Sequence, residues 1–431
     1  MEIKREKYIE RLVNRIGNGS IKIITGLRRS GKSYILNTLF YKQLLAMGIK
    51  EERIIRFSFD SAADMNKIDE DLIELQINKR KANYKKFMDY ISSFGISDEP
   101  TFLLLDEIQN LEAFEYVLNS YLASGKYEIF VTGSNSKFLS KDVITEFRGR
   151  GDEIHVFPLT FEEYMEFKGK EYNDALDEYM VFGGLPRVVL ANDDEEKINY
   201  LKSICDTTYL KDIVERYDIK DKRYMDDLLN ILASGISTLV NPLRLSNTFK
   251  SEAHANLSDI TIGKYIDYFE EAFMLKKAFR YDVKGKKYIS TPYKIYFEDI
   301  GLRNARLNFR QVEPTHIMEN LIYNQLRSRG FNVDVGAVLI RGKDENGKEK
   351  KSFLEVDFIA NKETNRYYIQ SAYGIPDEEK MRQELKSFNK INDSFKKVLI
   401  VEKYPITHYT EDGYLILKLK DFLLDDNSLN R

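Results

Sequence analysis

The sequence predicts an α/β multidomain protein, with a parallel-sheet core at its amino-terminal end and helical and smaller α/β units after it. Three observations carry the prediction. Strand-like apolar runs alternate with helical patterns through about residue 160, the rhythm of a parallel sheet wrapped by helices. A loop of the form G-x-x-x-x-G-K-S, Gly26-Leu27-Arg28-Arg29-Ser30-Gly31-Lys32-Ser33, joins the first run to a helical pattern opening at Tyr34. The run Thr101-Phe102-Leu103-Leu104-Leu105 ends in Asp106 and Glu107 and is continuously apolar, as a strand is when helices cover both faces of its sheet.

Taken in order, the core has strand-like runs at 21–25, 53–58, 101–106, 128–133 and 153–157 and is expected to span residues 1–160. In the loop after the first run, glycines let backbone N–H groups curl around phosphates and Lys32 neutralises their charge. Ser33 offers a hydroxyl to Mg²⁺, and the helix N-terminus adds a favourable dipole. Ligands of parallel sheets collect at the carboxyl ends of the strands, so Asp106 and Glu107 are expected to emerge beside those phosphates. Asp106 then holds Mg²⁺ through its water shell, and Glu107 polarises an attacking water. The strand at 128–133 runs into Ser134 and Asn135, and the helix after it ends at Phe147-Arg148-Gly149-Arg150.

Residues 161–218 read as helices and are expected to form a lid. Residues 219–300 begin with a helix near 222–234, continue through Asn241 to Phe249 and then carry a helix opened by Ser258 and Asp259, whose Ile262, Ile266, Phe269 and Phe273 share a face. A basic stretch follows, with Lys276, Lys277, Arg280, Lys284, Lys286, Lys287 and Lys294 interleaved with Tyr281, Tyr288 and Tyr293. Three helices and a basic two-stranded wing make a winged helix-turn-helix, with 261–273 as recognition helix and 261–294 as the region to meet DNA. A protein partner, or a solvated hairpin with no ligand, are the other readings of the same residues. Residues 301–431 form a last α/β unit. Its helix spans 317–326, Glu355 and Asp357 share one strand face by alternation, and Gln370-Ser371-Ala372 lie on the next strand.

Composition sets the outer bounds. A chain of 431 residues exceeds one ordinary core, and 43% hydrophobic with 31% charged residues excludes a disordered or collagen-like chain. No apolar run is long enough to span a bilayer and the first residues carry no apolar signal, so a cytoplasmic protein is expected. The single Cys205 fits a reducing compartment and reads as a small core residue. His155, His254, His316 and His408 are far apart, without zinc-ligand spacing. A net charge of −3 gives no global pull toward nucleic acid, so any such contact must be local.

The phosphate loop, Leu105-Asp106-Glu107-Ile108-Gln109, Thr132 to Ser136, Arg148 to Gly151, Phe157 to Phe161, Phe182-Gly183-Gly184-Leu185-Pro186 and Lys211 to Arg216 together resemble a prokaryotic AAA-superfamily group with a carboxyl-terminal domain of unknown function. The resemblance covers nearly the whole chain. It implies an AAA-type core that binds ATP and hydrolyses it with Mg²⁺, with Ser134 or Asn135 as polar sensor. It also implies Arg148 or Arg150 as an arginine finger, acting in cis or from a neighbouring subunit of a homo-oligomer. The same arginines could instead pair with Asp152 or Glu153. Arg187, after the Gly-Gly-Leu-Pro motif, stands where acidic residues are common in the group, and is either a second sensor or a surface arginine. The last unit resembles the PD-(D/E)xK nuclease fold, in which an Asp and a Glu hold metal and a Lys assists hydrolysis. Here Gln370 and Ala372 replace the carboxylate and the lysine, leaving Asp357 and Glu319 as an incomplete metal site and implying an inactive scaffold. The functional expectation is an ATPase. The alternatives are a slowly hydrolysing switch that docks a protein, or an ATP-regulated nuclease.

Overall fold

The computed structural model describes residues 2–68, 81–95, 99–133, 149–220, 222–252, 257–343 and 349–431. They fall into two compact units, Met1–Pro158 with Glu271–Phe273, and Leu159–Glu270 with Met274–Arg431.

The first unit is built on β1 (Ile21–Thr25), β2 (Ile54–Ser58), β3 (Thr101–Asp106), β4 (Tyr127–Thr132) and β5 (Gly151–His155). All pair in parallel in the order β2-β3-β4-β1-β5. These are the apolar runs read from the sequence, with boundaries moved by two residues at most. Period-two alternation explains why they are apolar throughout. Ile21, Ile23, Ile55, Phe57, Leu103, Leu105, Ile129 and Val131 face one core, which includes Phe87, Ile91, Val117 and Leu118 from helices Tyr84–Ser92 and Phe114–Ser124. Ile24, Ile54, Phe102, Leu104, Phe130 and Ile154 face the other, against Tyr8 and Leu12 of helix Glu6–Val13 and the helix that follows the loop. Each such side chain, fully buried, stabilises by roughly 1.5–3 kcal/mol, so both layers hold the sheet. Because β4 lies between β1 and β3, the ends of the loop strand and the acidic strand flank Thr132, the last residue of β4.

The helix after the loop starts as α at Lys32–Tyr34, widens to a π-helical segment at Ile35–Phe40 and returns to α at Tyr41–Ala46. A second π-helical segment, Cys205–Leu210, continues helix Asp194–Ile204 in the second unit. Cys205 is buried there, and burial pushes its thiol up to about 12, so it is an inert core residue.

The second unit carries a mixed sheet. Its strands are β6 (Leu239–Val240), β7 (Leu275–Asp282), β8 (Lys287–Phe297), β9 (Asn332–Lys343), β10 (Glu349–Lys362), β11 (Asn365–Gly374), β12 (Lys396–Lys403), β13 (His408–Tyr409) and β14 (Leu415–Lys418), in the order β13-β14-β12-β11-β10-β9-β7-β8-β6. Strands β7 and β8, which contain the basic stretch, are therefore continuous with the sheet that carries Asp357. Strand β7 pairs antiparallel with β8 and parallel with β9.

The Phe182–Pro186 motif has a packing reason. Asp299 caps helix Ile300–Arg306 by accepting from Leu302 N–H at 3.1 Å, and it also accepts from Gly184 N–H at 2.8 Å. A Cβ on Gly301 would stand 2.0 Å from the Phe182 carbonyl oxygen, so the two segments meet backbone to backbone. Among the described residues no helix is long and apolar enough to cross a membrane.

Candidate functional site

The loop after β1 is shaped by close approach. Gly26 has φ 131°, and a Cβ there would lie 2.2 Å from the Val156 carbonyl oxygen; Val156 N–H in turn donates to Thr25 at 2.8 Å. Only glycine lets the chain turn there. Lys32 opens the helix and folds back over the loop, donating from Nζ to the Gly26 and Leu27 carbonyls at 3.0 Å each. It is 4% exposed. Burial lowers its pKa to about 8, although Glu107 and Asp106 pull the other way. The Ser30 hydroxyl, in the same loop, is buried without a hydrogen-bond partner among the described residues. Lys32 keeps one N–H beyond its two carbonyl partners, which an acceptor such as a phosphate oxygen could satisfy. Tyr34, at the end of this first turn, is exposed and donates to Glu2 at 2.7 Å. Arg28 is partly buried and Arg29, at φ 69°, is exposed.

The carboxylates converge on this loop. Asp106 Oδ1 accepts from the Ser33 hydroxyl at 2.9 Å and from the Thr132 hydroxyl in a short bond. Burial raises the Asp106 pKa, and the Thr132 and Ser33 hydrogen bonds oppose the rise. Glu107 turns off the strand in the left-handed region, φ 53°, and donates its N–H to Thr132 Oγ1 at 2.9 Å. Thr132 thus fixes both acids: it donates to one side chain and accepts from the next backbone. The Glu107 carboxylate accepts from the side-chain amide of Gln109, whose own carbonyl oxygen is buried and unpartnered among the described residues. A third carboxylate, Asp60, follows β2. Burial and then Glu107 raise its pKa, Arg28 opposes, and Asn110 donates to it at 2.7 Å.

The structure therefore brings together Gly26 to Ser33, Asp106 and Glu107 as the sequence reading expected. Ser134, Asn135 and Arg148 lie outside the described residues. Arg150 is exposed and among the described residues makes no ion pair. Asp152 is taken by Arg15 at 2.9 Å and Asn18 at 3.0 Å, and Glu153 accepts from Thr25 at 2.6 Å. Arg187 is exposed and lies 3.1 Å from Glu196. Sequence reasoning did not single out Thr132, Asp60 or Gln109 as site residues. For Thr132 the available signal was a hydroxyl at the end of a buried strand beside the two acids' strand.

The basic stretch of the second unit needs correction. Lys294, expected in an exposed hairpin, is 3% exposed. Its ammonium lies 2.8 Å from Glu319, 2.7 Å from Glu355 and 3.7 Å from Asp357. Lys276 and Lys277 turn back onto the preceding helix, 2.7 and 3.1 Å from Glu270, with Lys277 also on Asp267. Lys284, Lys286 and Lys287 stay exposed. Asp267 and Glu270 of that helix are thus partners of the neighbouring strand. The clue to Lys294 was its setting in Tyr293-Lys294-Ile295-Tyr296-Phe297, where a lone charge interrupts an apolar run.

Comparison with known proteins agrees with this division. The family described as AAA domain matches residues 18–165, and a domain of unknown function (DUF8612) matches residues 173–313. An uncharacterized protein of Haemophilus influenzae is 34% identical over 429 residues, covering 98% of both chains. This chain belongs to the same family of AAA-domain proteins. An uncharacterized protein of Methanocaldococcus jannaschii is 29% identical, over 97% of this chain and 89% of its own. Among solved structures, Cdc6p from Pyrobaculum aerophilum has 14% identity and a TM-score of 0.30, covering 74% of this chain and 94% of its own. The Orc1 protein of Aeropyrum pernix in complex with DNA has 12% identity and a TM-score of 0.28, covering 70% and 92%. At these TM-scores neither likeness bears on function.

Proposed function

We propose that this protein binds ATP with Mg²⁺ and hydrolyses it at the carboxyl ends of β1, β3 and β4. The observation that carries the reading is the hydrogen-bonded chain Ser33, Asp106, Thr132 and Glu107 beside the buried ammonium of Lys32. Phosphates entering the loop replace the Gly26 and Leu27 carbonyls as partners of Lys32. Ser33 and Asp106 are adjacent hard oxygens and would hold the nucleotide's Mg²⁺, which would supply positive charge to the transferred phosphoryl group. Glu107 orients the attacking water and accepts its proton. Arg150, or Arg148, supplies positive charge to the phosphoryl group, and Ser134 or Asn135 senses it.

Residues 161–218 serve as a lid. Residues 219–300 form a winged helix, and 301–431 a nuclease-like scaffold that moves with nucleotide state. What supports DNA as partner is the exposed trio Lys284, Lys286 and Lys287 at the turn between β7 and β8. The contact between Gln109 and Glu107 favours a second reading, a switch that turns over slowly, because the proposed base is engaged by an amide. Both readings require the loop. Lys32→Ala should abolish nucleotide binding in a titration with labelled ATP, and wild-type ATPase rate should be measured with and without duplex DNA. Intact nucleotide binding by Lys32→Ala contradicts the site. A rate unchanged by DNA contradicts the DNA partner.

A further inference from the structure

The cluster around Lys294 belongs to neither the nucleotide site nor an exposed basic surface. Its acids come from two places. Glu319 lies in helix Pro314–Ser328, which opens with proline, and Glu355 and Asp357 lie on β10, where both reach the same ammonium although the strand's register shifts between Val356 and Ile359. Lys294 comes from β8, inside the stretch matched as DUF8612, whereas all three acids follow that stretch. Several of the cluster's other polar atoms are engaged as well. Glu319 Oε1 also accepts from the Tyr296 hydroxyl at 2.6 Å, and Asp357 Oδ2 accepts from the Ser371 N–H and hydroxyl at 2.8 Å each. The side-chain oxygen of Gln370 accepts from Asp357 N–H at 2.7 Å.

A divalent cation at these carboxylates needs their oxygens at about 2.0–2.6 Å. It would stand against the ammonium that already bridges them, and like charges at that range repel strongly. Burial alone would lower the Lys294 pKa, but Glu319, Asp357 and Glu355 more than offset it, so the lysine stays charged. Among the described residues no group of three or more His, Cys, Asp or Glu side chains is arranged to hold a metal, and these three carboxylates are drawn onto the ammonium instead.

We propose that the ammonium of Lys294 is the permanent cation of this cluster, standing where a metal-dependent phosphodiesterase of nuclease-like fold would hold its divalent ion. The second unit is thereby closed to Mg²⁺ and Mn²⁺, and the lysine instead ties β8 to β10 and to the helix that carries Glu319. The inference is independent of the nucleotide chemistry of the first unit and takes from the nuclease-like reading only the identity of the excluded ion.

The test uses the full chain and Mn²⁺ alone, followed by the electron paramagnetic resonance of free Mn²⁺ and by thermal melts. Wild type and Asp357→Asn should bind the same amount of Mn²⁺, because no bound ion depends on Asp357. Lys294→Met should melt lower in EDTA, gain Mn²⁺ binding, and recover melting temperature as Mn²⁺ is added; Lys294→Met with Asp357→Asn should lose that binding and that recovery. Wild-type Mn²⁺ binding abolished by Asp357→Asn overturns the proposal. So does a Lys294→Met protein that folds and takes up no ion. If Lys294→Met does not fold, the wild-type comparison with Asp357→Asn decides alone.

Discussion

At the residue scale, the proposed nucleotide site is organised by groups that satisfy one another. Lys32 rests on loop carbonyls, Ser33 on Asp106, and both acids on Thr132. Burial of Lys32 has a measurable consequence. In the ligand-free protein its pKa is lowered to about 8, so above that pH the lysine is neutral and binding phosphates must take up a proton. Nucleotide affinity should be level near pH 7 and fall by up to about tenfold per pH unit above 8. Titrations with a fluorescent nucleotide across this range check it; a Lys32→Arg protein, which stays charged, should show no such fall. The loop and the acid pair were legible in the sequence because their spacing is local and their chemistry needs fixed residue types. Thr132, Asp60 and Gln109 were not, because what gives them a place is strand order, and the position of β4 between β1 and β3 is not written in any one segment.

At the scale of elements, the parallel strands could be read because burial on both faces leaves an uninterrupted apolar run. The basic strands were misread for the complementary reason. Charge counting placed Lys276, Lys277 and Lys294 on a surface, whereas pairing with Glu270, Glu319 and Glu355 turns Lys277 and Lys294 inward and leaves Lys276 half-exposed beside Glu270. For Lys294 local sequence cannot show this, since Glu319 and Glu355 lie on elements that follow by tens of residues. The Phe182–Pro186 motif was visible as a motif only, and its reason is the backbone contact with Gly301 and the Asp299 cap. Gly301→Ala puts a methyl group 2.0 Å from the Phe182 carbonyl oxygen. Overpacking of this kind typically costs about 1–3 kcal/mol, so the protein should show a lowered thermal midpoint. An unchanged midpoint would mean that the two segments separate without penalty.

At the scale of the whole molecule, the chain divides into two compact units; the AAA-domain match falls largely on the first, and the match to the domain of unknown function falls on the first part of the second, ending before β9. A chain with net charge −3 has no global attraction for nucleic acid, so any DNA effect must come through the exposed lysines near 284–287 and weaken as salt rises. If Arg150 completes the site of a second copy, specific ATPase activity should increase with protein concentration in a dilution series, and Arg150→Ala should remove that dependence. Activity proportional to enzyme at every dilution argues for an arginine acting within its own chain. The central claim is that Lys32, Ser33, Asp106 and Glu107 form one hydrolytic site, and the most direct measurement follows ATP binding and ATP turnover side by side in wild type and Glu107→Gln. Binding should survive the change while turnover falls by about 10²–10⁴-fold; turnover equal to that of wild type would contradict the account.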